Sequence, residues 1–439
     1  MKVRGSVTNQ PPVERAALVG VITRRNRATD PDQQLDELAG LAEAAGAIVT
    51  LRLVQERPSL DPATVIGKGK VEQLKRGCDE TGATLIIFDH ELTPGQARNL
   101  EQACGRRVVD RTELILDIFA RRARTREGQL QVELAQLEYA LPRLAGSSEA
   151  LSRLGGGIGT RGPGETKLET DRRRIRHRIS MLKSEIAAVG NRRGHLRARR
   201  KRIDVPTVAL VGYTNAGKTT LFNQLTGAQA VASNALFVTL DPLARRMKLP
   251  DARQILLFDT VGFIDRLPHQ LVAAFRATLE EVAAADLLVH VIDAAADLQD
   301  QRTAAVSAVL SEVGAAELPT IEVFNKIDRL SGRELERLRA LHPSGLFVSA
   351  TKTGARSAVA TAIATALAMD SERIHLALDA SDERDRRLLA DLYRHARVIS
   401  HIAGDEGIAV EADVPRRIAP RFRRARVKRV GPLSSSGRL

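Results

Sequence analysis

Cysteine is scarce in this 439-residue chain: there are two, Cys78 and Cys104. They form no CxxC pair and have no histidine cluster beside them. That argues against a zinc site and against a structural disulfide, and ordinary reduced thiols are expected. Long apolar runs are also missing. No stretch approaches about 18 uncharged apolar residues, so no membrane span is expected. The first basic residues are not followed by an apolar core, so no secretory signal is expected either. The expectation is a soluble cytoplasmic protein; peripheral association with a membrane stays open.

Acidic residues are absent from Pro415 to the end, where nine Lys/Arg stand. Between Lys167 and Arg202, 14 Lys/Arg stand against 3 Asp/Glu. The whole chain carries +14, so the remainder is slightly acidic and the basicity is local. Local basic faces point to a polyanion, usually nucleic acid.

The order of apolar runs implies an α/β multidomain chain. Residues 16–23, 47–55, 84–89 and 106–110 read as strands. Residues 31–46, 70–82 and 93–105 read as helices between them, a small α/β domain over 1–110. Next, Leu130, Leu134, Leu137, Leu141 and Leu144 form a seven-residue seam. A second seam runs through Leu168, Ile175, Ile179, Leu182, Ile186 and Val189. Two seams joined by a Gly-rich loop over 147–166 imply an antiparallel two-helix coiled arm over 111–203. Glu165 or Thr166 is expected to cap its second helix, and Pro142 to bend the first. A mostly parallel α/β domain with helices on both faces is expected over 204–369. A small α+β domain follows over 370–422, then a basic tail over 423–439 expected to be disordered alone. No internal repeat is visible.

The specific chemical signal is "GYTNAGKTTLF". Gly212 to Thr219 fits G-x-x-x-x-G-K-[ST], after a strand and before a helix. Gly212, Tyr213, Thr214, Asn215, Ala216 and Gly217 would wrap a diphosphate with backbone amides, and the helix N-terminus would add its positive pole. Lys218 is the expected partner of the β- and γ-phosphates and Thr219 a magnesium ligand, with Thr220 beside it. "DTVGF" supplies Asp259 for magnesium, then Thr260, Val261 and Gly262, whose amide can sense a γ-phosphate. In "FVT", Phe237 and Val238 precede Thr239, the candidate that closes on magnesium and γ-phosphate. "NKID" offers Asn325 to the base or to the P-loop. The Lys326 stem can cover the ring, and the Asp328 carboxylate can accept two donors from a guanine edge. "SAT" places Ser349, Ala350 and Thr351 where a backbone amide can meet the guanine oxygen. The order of these motifs points to GTP rather than ATP, with Lys218, Thr239 and Gly262 as catalytic candidates. Phe263 stands where many GTPases carry a water-orienting Gln, so slow intrinsic hydrolysis is expected. Asn215 is a candidate for holding K+ over the phosphates.

These residues, with "VIGKGKVEQL", "FDHELTPGQARNLE" and "GTRGPGETKLETDRRRI", resemble the HflX-type GTPases over nearly the whole chain. Thr351, where many GTPases have Lys, and the tail after Arg421 depart from the pattern. The resemblance implies a magnesium-dependent cytoplasmic GTPase that binds the 50S subunit and 70S ribosomes through rRNA and splits stalled or idle ribosomes under stress. It also implies ribosome-stimulated hydrolysis and, in some members, a secondary ATPase acting on RNA through the N-terminal region. A monomer is expected. Arg161, Lys167, Arg172, Arg173, Arg174 and Arg176 are the RNA-contact candidates. The alternatives are an RNA-remodelling ATPase or a non-ribosomal GTPase switch with a protein partner.

Overall fold

The computed structural model describes residues 13–23, 31–144, 163–203, 205–229, 236–237, 243–264, 276–369, 371–379, 381–404, 407–415 and 419–423. The chain divides into two compact units. The first holds residues 1–189 with 233–240 and 268–275; the second holds the rest.

The first unit is built on β1 (Arg15–Ile22), α1 (Pro31–Ala44), β2 (Ile48–Glu56), α2 (Lys68–Thr81), β3 (Leu85–Phe88), α3 (Pro94–Cys104) and β4 (Arg107–Asp110). The sheet order is β2-β1-β3-β4, parallel throughout. Parallel sheets are covered on both faces, and β1 is buried from Ala16 to Ile22 accordingly. Alternation sends Ala17, Val19 and Val21 into a core with Leu74 and Cys78 of α2 and Leu100 and Cys104 of α3. Both cysteines are free and buried. Burial pushes the Cys78 thiol up to about 11 and raises that of Cys104. Thr93 and Gln96 form a capping box at the start of α3, and Pro94 follows the cap.

Two further helices, α4 (Arg111–Arg122) and α5 (Arg126–Leu144), run out from the sheet and back. α4 packs on α1, β3 and β4. The sequence shows one apolar stripe on α5, through Leu130. The structure shows a second: Gly128, Val132, Ala135 and Tyr139 are buried, and α5 packs on α4. Its last turns are clamped by Asp110, whose side chain is wholly buried. That carboxylate accepts from the amides of Leu92 at 3.0 Å and Glu113 at 2.9 Å. It also accepts from the Tyr139 hydroxyl at 2.6 Å and Arg143 at 2.7 Å. Pro142 lies inside α5 near its end.

α6 (Pro163–Ile203) is one helix of 41 residues. It begins at Pro163, so Glu165 and Thr166 lie inside the helix rather than capping it. Proline suits the first turn, whose amides have no helical acceptor. Leu182 is buried and Ile175, Ile179, Ile186 and Val189 are half-buried, with Arg173, Arg174 and Arg176 exposed. Among the described residues, three ion pairs join α6 to α5. Arg178 grips Glu133 with two bonds of 2.7 and 2.8 Å. Lys183 meets Glu138 at 2.8 Å and Arg126 meets Glu185 at 3.1 Å. The Gly-rich stretch over 145–162, Arg161 included, lies outside the described residues, as does the tail beyond 423.

The second unit contains β5 (Thr207–Val211), α7 (Lys218–Thr226), β6 (Leu243–Lys248), β7 (Gln254–Asp259), α8 (Arg276–Ala283), β8 (Leu287–Asp293) and α9 (Gln299–Glu312). It continues with β9 (Thr320–Asn325), α10 (Gly332–Leu341), β10 (Leu346–Phe347) and α11 (Ala355–Met369). The sheet order is β10-β9-β8-β5-β7-β6, with β6 alone antiparallel. Val208, Leu210, Val289 and Val291 from the central strands pack with Leu221 and Phe222 of α7 and Ile363 of α11. The carboxyl ends of β5, β7, β8 and β9 gather Gly212, Asp259, Asp293 and Asn325 at one edge, where doubly wound sheets bind ligands. The unit ends in β11 (Ser371–Leu378), α12 (Glu383–His395), β12 (Arg397–Gly404), β13 (Gly407–Pro415) and α13 (Ala419–Arg423). Its antiparallel sheet has the order β11-β13-β12.

Replacing Asp110 with Ala removes the shared acceptor of four donors, of which Arg143 keeps the Leu92 carbonyl at 2.8 Å. The first unit is expected to lose roughly 3 kcal/mol. Urea unfolding should show that loss as a lower midpoint, with nucleotide affinity of the second unit unchanged.

Candidate nucleotide-binding site

The loop between β5 and α7 is shaped by two glycines that no other residue could replace. Gly212 has φ +148° and Gly217 φ +94°. A Cβ on Gly212 would lie 2.2 Å from the Val291 carbonyl oxygen, and one on Gly217 would lie 2.2 Å from Asn325 Nδ2. Both positions therefore need bare backbone. Gly217 leads into α7 without a side-chain cap, leaving the first amides of that helix to a ligand.

Lys218 is buried at 6% exposure. Its ammonium donates to the carbonyls of Gly212 at 3.0 Å and Tyr213 at 2.8 Å. Burial pushes it down to about 8, Asp259 pulls it back up and Lys326 pushes it further down. A phosphate anion would supply the missing counter-charge. His290 on β8 is also buried, and burial together with Lys218 holds its imidazole down to about 4. It is therefore neutral and adds no competing charge beneath the loop.

The Thr219 hydroxyl lies 2.8 Å from Asp259 Oδ2, and Asp259 is fully buried. Two hard oxygen donors converging beside a phosphate loop fit a magnesium ion. Thr220 is half-buried on α7. Thr260 and Val261 are buried, and the Thr260 hydroxyl donates to the Leu210 carbonyl at 2.6 Å. Val238 and Thr239 lie outside the described residues. Phe237 is 2% exposed, and its ring meets Phe119 edge-on at 4.7 Å within the first unit. An aromatic at that position serves core packing there.

Asn325 is tied to the phosphate loop, one of the two roles its sequence allows. Its Nδ2 donates to the Ala216 carbonyl at 2.9 Å and its Oδ1 accepts from the Ala350 amide at 2.8 Å. It ties three loops rather than reaching outward. The Ala350 amide is thereby engaged by Asn325 in this structure. Lys326, at φ +64°, donates to Asp293 at 2.7 Å, which fixes the course of its stem. Asp328 is exposed, and the Ser349 hydroxyl is the first cause holding its carboxyl below the usual range. It is ionised at neutral pH and open to two donors. Thr351 is exposed and its hydroxyl lies 3.0 Å from that of Ser349. Asn215 is exposed at φ +59°.

Three neighbours were not legible as site residues. Asp293 ends the apolar run of β8, a position that could have flagged it as the partner of Lys326. His290 is hidden inside that run. Arg302 of α9 stands 5.2 Å over the Tyr213 ring, a contact with no sequence signal.

A phosphate loop on a parallel sheet, a magnesium-type oxygen pair, and a carboxylate set for a guanine edge together define a P-loop GTP hydrolase. Comparison with known proteins agrees. A family model described as "GTP-binding GTPase N-terminal" matches residues 32–120. One described as "GTP-binding GTPase Middle Region" matches 122–200, and one described as "50S ribosome-binding GTPase" matches 207–326. GTPase HflX of Caldanaerobacter subterraneus is 47% identical over 414 residues, covering 93% of each chain. GTPase HflX of Escherichia coli is 47% identical over 344 residues, covering 78% of this chain and 80% of that one. The chain belongs to the HflX family of GTPases. Among solved structures, a GDP complex of the Sulfolobus solfataricus GTP-binding protein matches with 27% identity and a TM-score of 0.44, covering 81% of this chain and 98% of that one.

Asp328→Asn replaces one acceptor with a donor. GTP affinity is expected to fall by about 100-fold while xanthosine triphosphate gains, as competition binding would show.

Proposed function

We propose that this GTPase acts on the large ribosomal subunit and splits stalled or idle ribosomes under stress, in the cytoplasm and as a monomer. The observation that carries the reading is the conjunction of a GTP site with the arginine-rich face of α6. Arg174 and Arg176 are 77% and 54% exposed, and they meet Asp171 and Glu169 only loosely, at 3.6 and 3.8 Å. Exposed pairs of that kind contribute little, so phosphates of rRNA can displace them. Arg172 and Arg173 lie on the same helix, and Lys167 and Arg161 precede them toward the Gly-rich stretch. A model described as ribosome-binding on the GTPase domain supports the same partner.

In the nucleotide site, Lys218 would hold the β- and γ-phosphates and the Asp328 carboxylate the guanine. Thr219 and Asp259 would hold magnesium, joined by Thr239 when GTP is bound. The ion would neutralise charge that develops between the phosphates. The Gly262 amide would meet the γ-phosphate. Phe263 offers no polar atom to orient water, so the ribosome would complete the site. Asn215 would hold K+ over the phosphates, adding a charge there.

With a non-hydrolysable GTP analogue, the protein is expected to co-sediment with 50S particles and to deplete 70S ribosomes on a gradient. Failure of both removes the ribosomal reading. Replacing residues 155–164 by a Ser-rich linker of equal length should keep GTP binding and abolish splitting. Added 50S or 70S particles should raise the GTPase rate by at least tenfold, in K+ more than in Na+.

A further inference from the structure

Thr214 of the phosphate loop is bonded directly to Phe263, the residue that stands where many GTPases carry a water-orienting Gln. The Thr214 amide donates to the Phe263 carbonyl at 2.7 Å, and the Phe263 amide donates to the Gly212 carbonyl at 3.1 Å. Tyr213 and Phe263 thus pair as a short parallel bridge. Thr214 itself is 5% exposed. Its neighbours are fixed by Gly262. A Cβ placed on that glycine would lie 2.8 Å from Thr214 Cγ2 and 3.1 Å from Lys218 Nζ. The Thr214 side chain and the Lys218 ammonium therefore flank one point. The Thr214 hydroxyl is buried without a hydrogen-bond partner among the described residues. Buried hydroxyls nearly always have a partner, because an unmade bond costs stability, so this one calls for a use.

We propose that the Thr214 hydroxyl does the work of the missing Gln and orients the water that attacks GTP. A hydroxyl offers one donor and two acceptor sites. It can accept from the attacking water and donate to a γ-phosphate oxygen held by Lys218, so one atom aligns both reactants. The hydroxyl gives up no proton of its own. The water oxygen bonds to the γ-phosphorus while the bond from that phosphorus to the β–γ bridging oxygen breaks. The electron pair of the broken bond stays on GDP, and the water proton passes to an oxygen of the released phosphate. One small hydroxyl holds water less firmly than an amide side chain with separate donor and acceptor atoms, in keeping with slow turnover by the chain alone. The proposal rests on GTP lying with its γ-phosphate at Lys218, and not on the ribosomal partner.

Thr214→Val removes the hydroxyl at nearly constant shape, and Thr214→Ser keeps it without the methyl. Single-turnover GTP hydrolysis without ribosomes is the readout. The Val variant is expected to be slower by roughly tenfold or more, and the Ser variant to keep most of the rate. Affinities of the Val variant for GDP and for a non-hydrolysable GTP analogue are expected to stay within about twofold of the unaltered protein. Its urea midpoint without nucleotide should equal or exceed that of the unaltered protein, since an unpaired buried hydroxyl has been removed. A threonine that serves only the fold would lower that midpoint together with the rate, and that result overturns the proposal. An unchanged rate in the Val variant overturns it, as does a Ser variant as slow as Val. An analogue affinity that falls as far as the rate makes Thr214 a ground-state ligand and also overturns it. Lys218→Ala checks the footing separately. If analogue binding survives that change, the γ-phosphate lies elsewhere and the placement itself is wrong.

Discussion

The nucleotide site depends on the two hydrogen bonds of one buried amide side chain. Asn325 donates to the phosphate loop through Ala216 and accepts from the loop after β10 through Ala350. Its own strand supplies the third loop, with Lys326 and Asp328. Phosphate recognition and base recognition lie on segments over a hundred residues apart in sequence. A fully buried connector makes them one rigid constellation, because an unpaired amide there would cost more than the bonds return. The 2.2 Å approach that a Cβ on Gly217 would make to the same Nδ2 shows how little slack remains. Sheet order does the rest, since β5, β8 and β9 are neighbours and end together.

The first unit uses a comparable device for a different end. Asp110 closes β4, starts α4 and receives Tyr139 and Arg143 from the end of α5. A single carboxylate thereby fixes the last turns of α5 against the end of β4. The basic helix α6 is held to α5 by acid–base pairs across their flanks, leaving other arginines outward. Charge on α6 is thus sorted by position: Arg178 and Lys183 serve the fold, while Arg173, Arg174 and Arg176 face solvent.

Most of the site was legible because its chemistry is local. A phosphate loop, "DTVG" and "NKID" each need particular residues at fixed spacing, and each ends a strand whose apolar run is plain. The alternation of strands and helices was legible for the same reason. What escaped reading is tertiary. Phe237 sits within a motif stretch, yet its ring lies against Phe119, a packing choice invisible to spacing. The second apolar stripe of α5 was overlooked because the leucine seam was more conspicuous than Gly128, Val132, Ala135 and Tyr139. The start of α6 at Pro163 was masked by glycines that read as loop. The pairing of Phe263 with Gly212 and Thr214 is made of backbone atoms and carries no residue-type signature at all.

The two cysteines have a consequence of another kind. Cys78 of α2 and Cys104 of α3 are buried in one apolar core, and burial raises both thiols, that of Cys78 to about 11. With Cys78 at about 11, its thiolate fraction at neutral pH is on the order of one in ten thousand. Peroxide and disulfide reagents act on thiolates that they can reach, and here they meet neither charge nor access. The chain has no other cysteine. An oxidising challenge therefore leaves both thiols unmodified unless the first unit unfolds.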